Sequence, residues 1–95
     1  VTTEEELEAF FIVKSILRSV VTSDRITYKD TRSYFGVQID NNVRKTVVRF
    51  YFNQPKNKRI AIISEDKSER MYKVQTLDEI YNYADELTEA AQRYL

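Results

Sequence analysis

The chain has 95 residues, 42% of them hydrophobic and 32% charged, which suits one folded domain and is too short for two ordinary ones. Fifteen basic and fifteen acidic groups cancel, and there is no cysteine or histidine; this excludes disulfides, zinc–thiolate sites, cysteine nucleophiles, the usual neutral-pH general base and any Ser-His-Asp triad. A single glycine, Gly36, is too few for a Walker A loop or a dinucleotide-binding fingerprint, and the longest apolar run, residues 9–13, is far too short to span a membrane.

Thr2 and Thr3 precede Glu4, Glu5 and Glu6, so either Thr2 with Glu5 or Thr3 with Glu6 can form a capping box. Leu7, Phe10, Val13, Leu17, Val20 and Val21 then recur at helical spacing, with Phe11 and Ile16 widening the stripe, and predict an amphipathic helix from about Thr3 to Val21. Phe10 and Phe11 are both expected in the core. From Ile26 the period changes to two. Phe35, Val37 and Ile39 alternate with Tyr34, Gly36 and Gln38; Val48, Phe50 and Phe52 alternate with Val47, Arg49 and Tyr51. Turn chemistry at Asp40-Asn41-Asn42, at 53–57 with the lone Pro55, and at 64–68 divides the segment. Five strands are predicted near 25–30, 33–39, 44–53, 58–64 and 69–74. Asp30 and Ser33 are expected to hold the tight turn 30–33, with Arg32 at its tip.

Thr76 and Glu79 form a second capping box. Leu77, Ile80, Tyr81, Ala84, Leu87, Ala91, Tyr94 and Leu95 mark the buried face of a closing helix. The predicted fold is α+β: an antiparallel meander of about five strands, with an N-terminal and a C-terminal helix packed on one sheet face and the other face open. The chain opens at Val1 and enters a helix signal at once, so residues 1–95 are read as a single domain cut from a longer protein, or as a processed one.

Charge is unevenly placed. Residues 1–24 are net −3, residues 25–59 carry nine basic against two acidic groups for a net of +7, and residues 60–95 are net −4. The open face should present Tyr34, Gln38, Arg49 and Tyr51, with Lys29 near. Cations beside aromatic rings are what a nucleic-acid surface needs, since the cations neutralise phosphate and the rings stack on bases. An ordinary solvated sheet face has the same composition. The candidate DNA contacts are Lys29, Arg32, Arg44, Lys45 and Arg49 for phosphate, with Tyr34, Tyr51 and Asn53 for stacking or hydrogen bonds. The alternative is a protein-interaction module that docks this face or an edge strand on another domain, another subunit or a second copy.

No catalytic residues and no metal ligands are assigned. Glu65-Asp66-Lys67 has the acid-x-lysine spacing of metal-dependent nucleases but falls in a turn, and no Pro-Asp dipeptide exists. Asp66 and Glu69 read as turn solvation. Asp78, Glu79, Asp85, Glu86 and Glu89 lie off the apolar stripe and read as a solvated face.

Several runs resemble one family. Phe11-Ile12-Val13-Lys14-Ser15-Ile16-Leu17-Arg18 is similar to the start of the C-terminal domain of prokaryotic restriction-endonuclease-like proteins, often labelled type I restriction enzyme R proteins. Asp30-Thr31-Arg32-Ser33-Tyr34-Phe35-Gly36 resembles its first hairpin; Asp40-Asn41-Asn42-Val43-Arg44-Lys45 and Val48-Arg49-Phe50-Tyr51-Phe52-Asn53 resemble the next. Leu77-Asp78-Glu79-Ile80-Tyr81-Asn82-Tyr83-Ala84 also fits, while Thr46 stands where the family pattern has proline. The resemblance implies a nuclease-like domain N-terminal to this one, carrying the acidic metal site. It further implies a DNA-processing parent; with no site of its own, this piece is read as a non-catalytic, cytoplasmic accessory domain that needs no cofactor. Its partners would be DNA, the N-terminal domain or other subunits, and no membrane.

Overall fold

A computed structural model describes residues 2–54 and 56–95; Val1, the expected cut point, and Pro55, in the expected second turn, lie outside the described residues. Helix α1 spans Glu4–Leu17. Thr3 and Glu6 supply its capping box: the Glu6 amide donates to Thr3 Oγ1 at 3.1 Å and the Thr3 amide to Glu6 Oε1 at 3.0 Å. The helix stops at Leu17 instead of Val21, because the amides of Val20 and Val21 both turn onto the Leu17 carbonyl, at 3.0 and 2.9 Å. The β-branched run Val20-Val21-Thr22 favours this exit. Ala9, Phe10, Val13 and Leu17 are buried, whereas Phe11, one step of about 100° round the helix, is 58% exposed and not in the core.

A short 3₁₀ turn, Ser23–Arg25, leads into β1 (Ile26–Asp30), followed by β2 (Phe35–Ile39), β3 (Asn42–Tyr51), β4 (Arg59–Ile63) and β5 (Glu69–Lys73). The five strands form one antiparallel sheet in the order β1-β2-β3-β4-β5. The β2–β3 hairpin turns on two left-handed residues, Asp40 (φ 59°) and Asn41 (φ 53°), as the mirror-image two-residue turn requires. The β1–β2 turn is held by Thr31, not by Asp30 and Ser33: the Thr31 hydroxyl donates to the Tyr34 carbonyl at 2.9 Å and accepts from the Tyr34 amide at 3.1 Å. Asp30 instead accepts the Thr2 hydroxyl at 2.8 Å.

Between β2 and β3 the register shifts from Val37↔Val48 to Gln38↔Thr46, then to Ile39↔Asn42. The bulge breaks the alternation, so Val47 joins Val48 in the core instead of facing the other way.

Thr76 and Glu79 cap the closing segment, but its first part, Leu77–Tyr83, is 3₁₀ and only Ala84–Gln92 is α-helical (α2). A three-residue period puts Leu77, Ile80 and Tyr83 against the core and turns Tyr81 outward, 50% exposed. In α2 the buried residues are Leu87, Ala90 and Ala91; Leu95 is 55% exposed rather than buried. Both helices share one core with Ile26, Phe35, Val37, Ile39, Val48, Phe50, Ile60 and Ile62, so they cover one face of the sheet. Phe35, Phe50 and Phe52 stack down this layer, with ring centroids 5.8 and 5.2 Å apart. No helix among the described residues is long and apolar enough to cross a membrane.

Candidate functional site

The opposite sheet face is set by strand parity. One row of register partners across all five strands reads Lys29, Gly36, Arg49, Ala61, Met71; the next reads Tyr51, Arg59, Lys73. The strand positions on this face thus carry four cations, Lys29, Arg49, Arg59 and Lys73, against one carboxylate, Glu69. Arg59 and Lys73 complete a set of which sequence reading found only Lys29 and Arg49. The β3–β4 register, Tyr51↔Arg59, brings in the first and the β4–β5 register, Arg59↔Lys73, the second.

At the centre, an aromatic–guanidinium cluster covers the pleat. A Cβ on Gly36 would lie 3.3 Å from the Tyr34 ring, so the glycine leaves room for that ring to lie against the sheet. The Arg49 guanidinium sits 4.8 Å from the Tyr34 centroid, and the Arg59 guanidinium 5.6 Å from that of Tyr51. The two tyrosines are 6.0 Å apart. Glu69 ties the cluster: it accepts from Arg49 Nη1 at 3.1 Å and from the Tyr51 hydroxyl. Burial works against the Arg49 charge, but the hydrogen bond to Glu69 and the electrostatic effect of Tyr34, Glu69 and Tyr51 outweigh it and raise its pKa. Burial and the bond to Glu69 push the Tyr51 hydroxyl above its ordinary value, so it remains a neutral donor at physiological pH.

Lys29, Arg32, Arg59 and Lys73 have no carboxylate partner among the described residues. Arg32 is exposed at its turn, and Asn53 Nδ2 donates to the Arg32 carbonyl at 3.0 Å, fixing that tip beside the end of β3. Next to Arg59 lies a polar depression of about 160 Å³, lined by Ser33, Tyr51, Asn53, Gln54, Asn57 and Arg59. It offers hydroxyl and amide donors and a guanidinium, with no carboxylate. Gln38 belongs to the same face but is only 2% exposed, so it presents nothing to solvent.

The candidate contacts therefore fall into two groups. Lys29, Arg32, Tyr34, Arg49, Tyr51 and Asn53 gather on the open face and its β1–β2 end. Arg44 and Lys45 stand at the opposite end of β3, roughly 20 Å from Tyr51 at strand rise. There Lys45 pairs with Asp40 at 3.2 Å, and Arg25 grips the same carboxylate through two bonds of 2.8 Å. The hydrogen bond from Arg25 holds Asp40 well below the usual carboxylate range.

No three metal-ligating side chains converge among the described residues. Lys67 does not face Glu65: its ammonium donates to the Tyr94 hydroxyl at 2.9 Å and the Arg44 carbonyl at 3.2 Å. Asp66 closes its own turn by accepting from the Ser68 hydroxyl and amide at 2.6 and 3.1 Å, and Glu69 serves the aromatic cluster instead of the turn. The acid-x-lysine run is thus spent on structure. Comparison with protein-family models, with characterised proteins and with solved structures returns no match.

Proposed function

We propose that this domain is a non-catalytic nucleic-acid-holding module whose open sheet face grips the sugar–phosphate backbone, as an accessory of a DNA-processing protein of the restriction-endonuclease-like kind its sequence resembles. The observation that carries the reading is the four-to-one excess of cations over carboxylates on that face, beside a carboxylate-free polar depression of about 160 Å³. Because the Tyr34 and Tyr51 rings already carry guanidinium groups, they act here to orient cations more than to stack on bases. Such contacts position a duplex and read no sequence.

The test is fluorescence anisotropy of a short labelled duplex over a salt series. About four phosphate contacts give a log–log slope of about −3 to −4. Reversing Lys29→Glu with Lys73→Glu should make the slope shallower by about 2. Reversing Arg44→Glu with Lys45→Glu, at the far end of β3, should do less. Absence of binding at low salt, or equal losses from both pairs, would sink the proposal.

The competing reading, docking on another protein domain, draws on Met71, 42% exposed in the central row, and on β5 being an edge strand. It predicts salt-insensitive binding to a protein partner that Met71→Lys abolishes.

A further inference from the structure

A second recess lies away from the polar depression, where β3 outruns β4. Pairing of these strands begins at Val48↔Ile62, so residues 43–47 of β3 have no β4 partner. Side chains occupy the gap: Lys67 Nζ donates to the Arg44 carbonyl at 3.2 Å, and the Tyr94 hydroxyl to the Thr46 carbonyl at 3.4 Å. The result is a groove of about 390 Å³ lined by Val43, Arg44, Thr46, Arg49, Ile63, Lys67 and Tyr94. Its walls are apolar at Val43, Ile63 and the Tyr94 ring. Its charged lining residues are all cations. Arg49 is answered by Glu69, but Arg44 and Lys67 have no carboxylate partner among the described residues.

Lys67 also holds an uncommon backbone state. Its φ is 72°, in the left-handed region where glycine is the cheap choice. The long side chain at that position crosses to the groove, 4.6 Å from the Tyr94 centroid, where its charge is ordered by two neutral oxygens. An apolar recess rimmed by unanswered cations is complementary to one kind of guest. We propose that this groove binds a small amphipathic carboxylate, with its aryl or alkyl body between Val43, Ile63 and Tyr94 and its carboxylate on Lys67 and Arg44. The size suits a small molecule. The groove shares Arg49 with the open face, but the two cations assigned to the guest, Lys67 and Arg44, are not among the four that line the open strands.

The test uses 4-phenylbutyrate as the probe on the whole 95-residue chain, followed by amide chemical-shift perturbation. Saturable shifts confined to residues 43–46, 63, 67 and 94 are expected, with a millimolar dissociation constant as befits so few atoms. Neutral 4-phenylbutanol should bind about fivefold more weakly or worse, and 4-phenylbutylamine not at all. Lys67→Asn removes the charge with a residue that tolerates the left-handed backbone, and should erase the preference for the carboxylate over the alcohol. Arg44→Gln, on an exposed strand position, should weaken it independently of the turn. Equal binding of acid and alcohol, shifts scattered over the surface, or none in the groove would overturn the proposal. Duplex binding by the Lys67→Asn protein should be unchanged, which separates failure here from failure of the nucleic-acid reading.

Discussion

Glu69 is the residue on which the open face turns. It is the only carboxylate among the described strand positions there, and it holds both Arg49 and the Tyr51 hydroxyl. Glu69→Gln should therefore split two quantities that usually move together. Stability should fall by about 1 kcal/mol, since the pair is partly exposed, while duplex affinity at low salt should rise. Chemical denaturation and anisotropy on the same protein measure both; a fall in affinity would argue that Glu69 orients Arg49 for its ligand. Tyr51 gives a pH signature. Its folded pKa lies above the ordinary tyrosine value of 10.0, so its contribution is complete below that pH. As pH rises further the unfolded chain ionises first, binds fewer protons, and stability declines until the raised folded value is passed. Tyr72, raised chiefly by its hydrogen bond to Glu86, declines in the same window. Urea unfolding of the wild type and Tyr51→Phe between pH 9 and pH 11, roughly bracketing that value, isolates the Tyr51 share as the difference in slope.

At the scale of elements, the β2–β3 hairpin is the clearest case of sequence dictating backbone. Asp40 and Asn41 both sit at positive φ, which Asn and Asp tolerate and glycine prefers. Asn41→Gly should stabilise the domain by about 0.5–1 kcal/mol, and Asn41→Val should destabilise it by about 1–2 kcal/mol. Thermal unfolding checks the opposite signs. Starts and turns were legible in this chain because capping and left-handed residues act over three or four positions: Thr3 with Glu6, Thr76 with Glu79, Asp40 with Asn41. What escaped was set by tertiary packing. The bulge that carries Val47 into the core appears only when β2 and β3 are aligned. The 3₁₀ period of Leu77–Tyr83 answers to the Tyr72–Tyr83 stack, 4.5 Å between centroids, and to burial of Ile80. Phe11 follows the apolar stripe in sequence, yet it is left 58% exposed, with no strand or helix among the described residues covering it. Likewise Lys29, Tyr34, Arg49 and Tyr51 could be placed on one face by parity alone, whereas Arg59 and Lys73 needed the register of β4 and β5.

At the scale of the molecule, a net charge of zero conceals a polar object. The open sheet face is basic. Glu4, Glu5 and Glu8 on α1, Asp78 before α2, and Asp85 and Glu89 on α2 leave the helix layer acidic. Between α1 and the 3₁₀ segment, Glu5, Glu8 and Asp78 border a groove of about 530 Å³, opposite in sign to the sheet face. With no net repulsion to keep copies apart, the basic face of one copy can meet the acidic layer of the next. Such a contact joins two different surfaces, so it grows open-ended unless its rotation closes a ring. Salt decides whether it forms. The Debye length is about 30 Å at 0.01 M and about 8 Å at 0.15 M, so the attraction operates at the lower value and is largely screened at the higher. Sedimentation at low salt should show a mass that rises with protein concentration, and the rise should vanish near physiological salt. Lys29→Glu with Lys73→Glu should abolish it even at low salt, because it reverses part of one of the two surfaces. A short duplex should compete with self-association, since both would use the same cations. Association that persists or strengthens with added salt would instead point to an apolar contact, with Met71 and Phe11 the exposed side chains to test first.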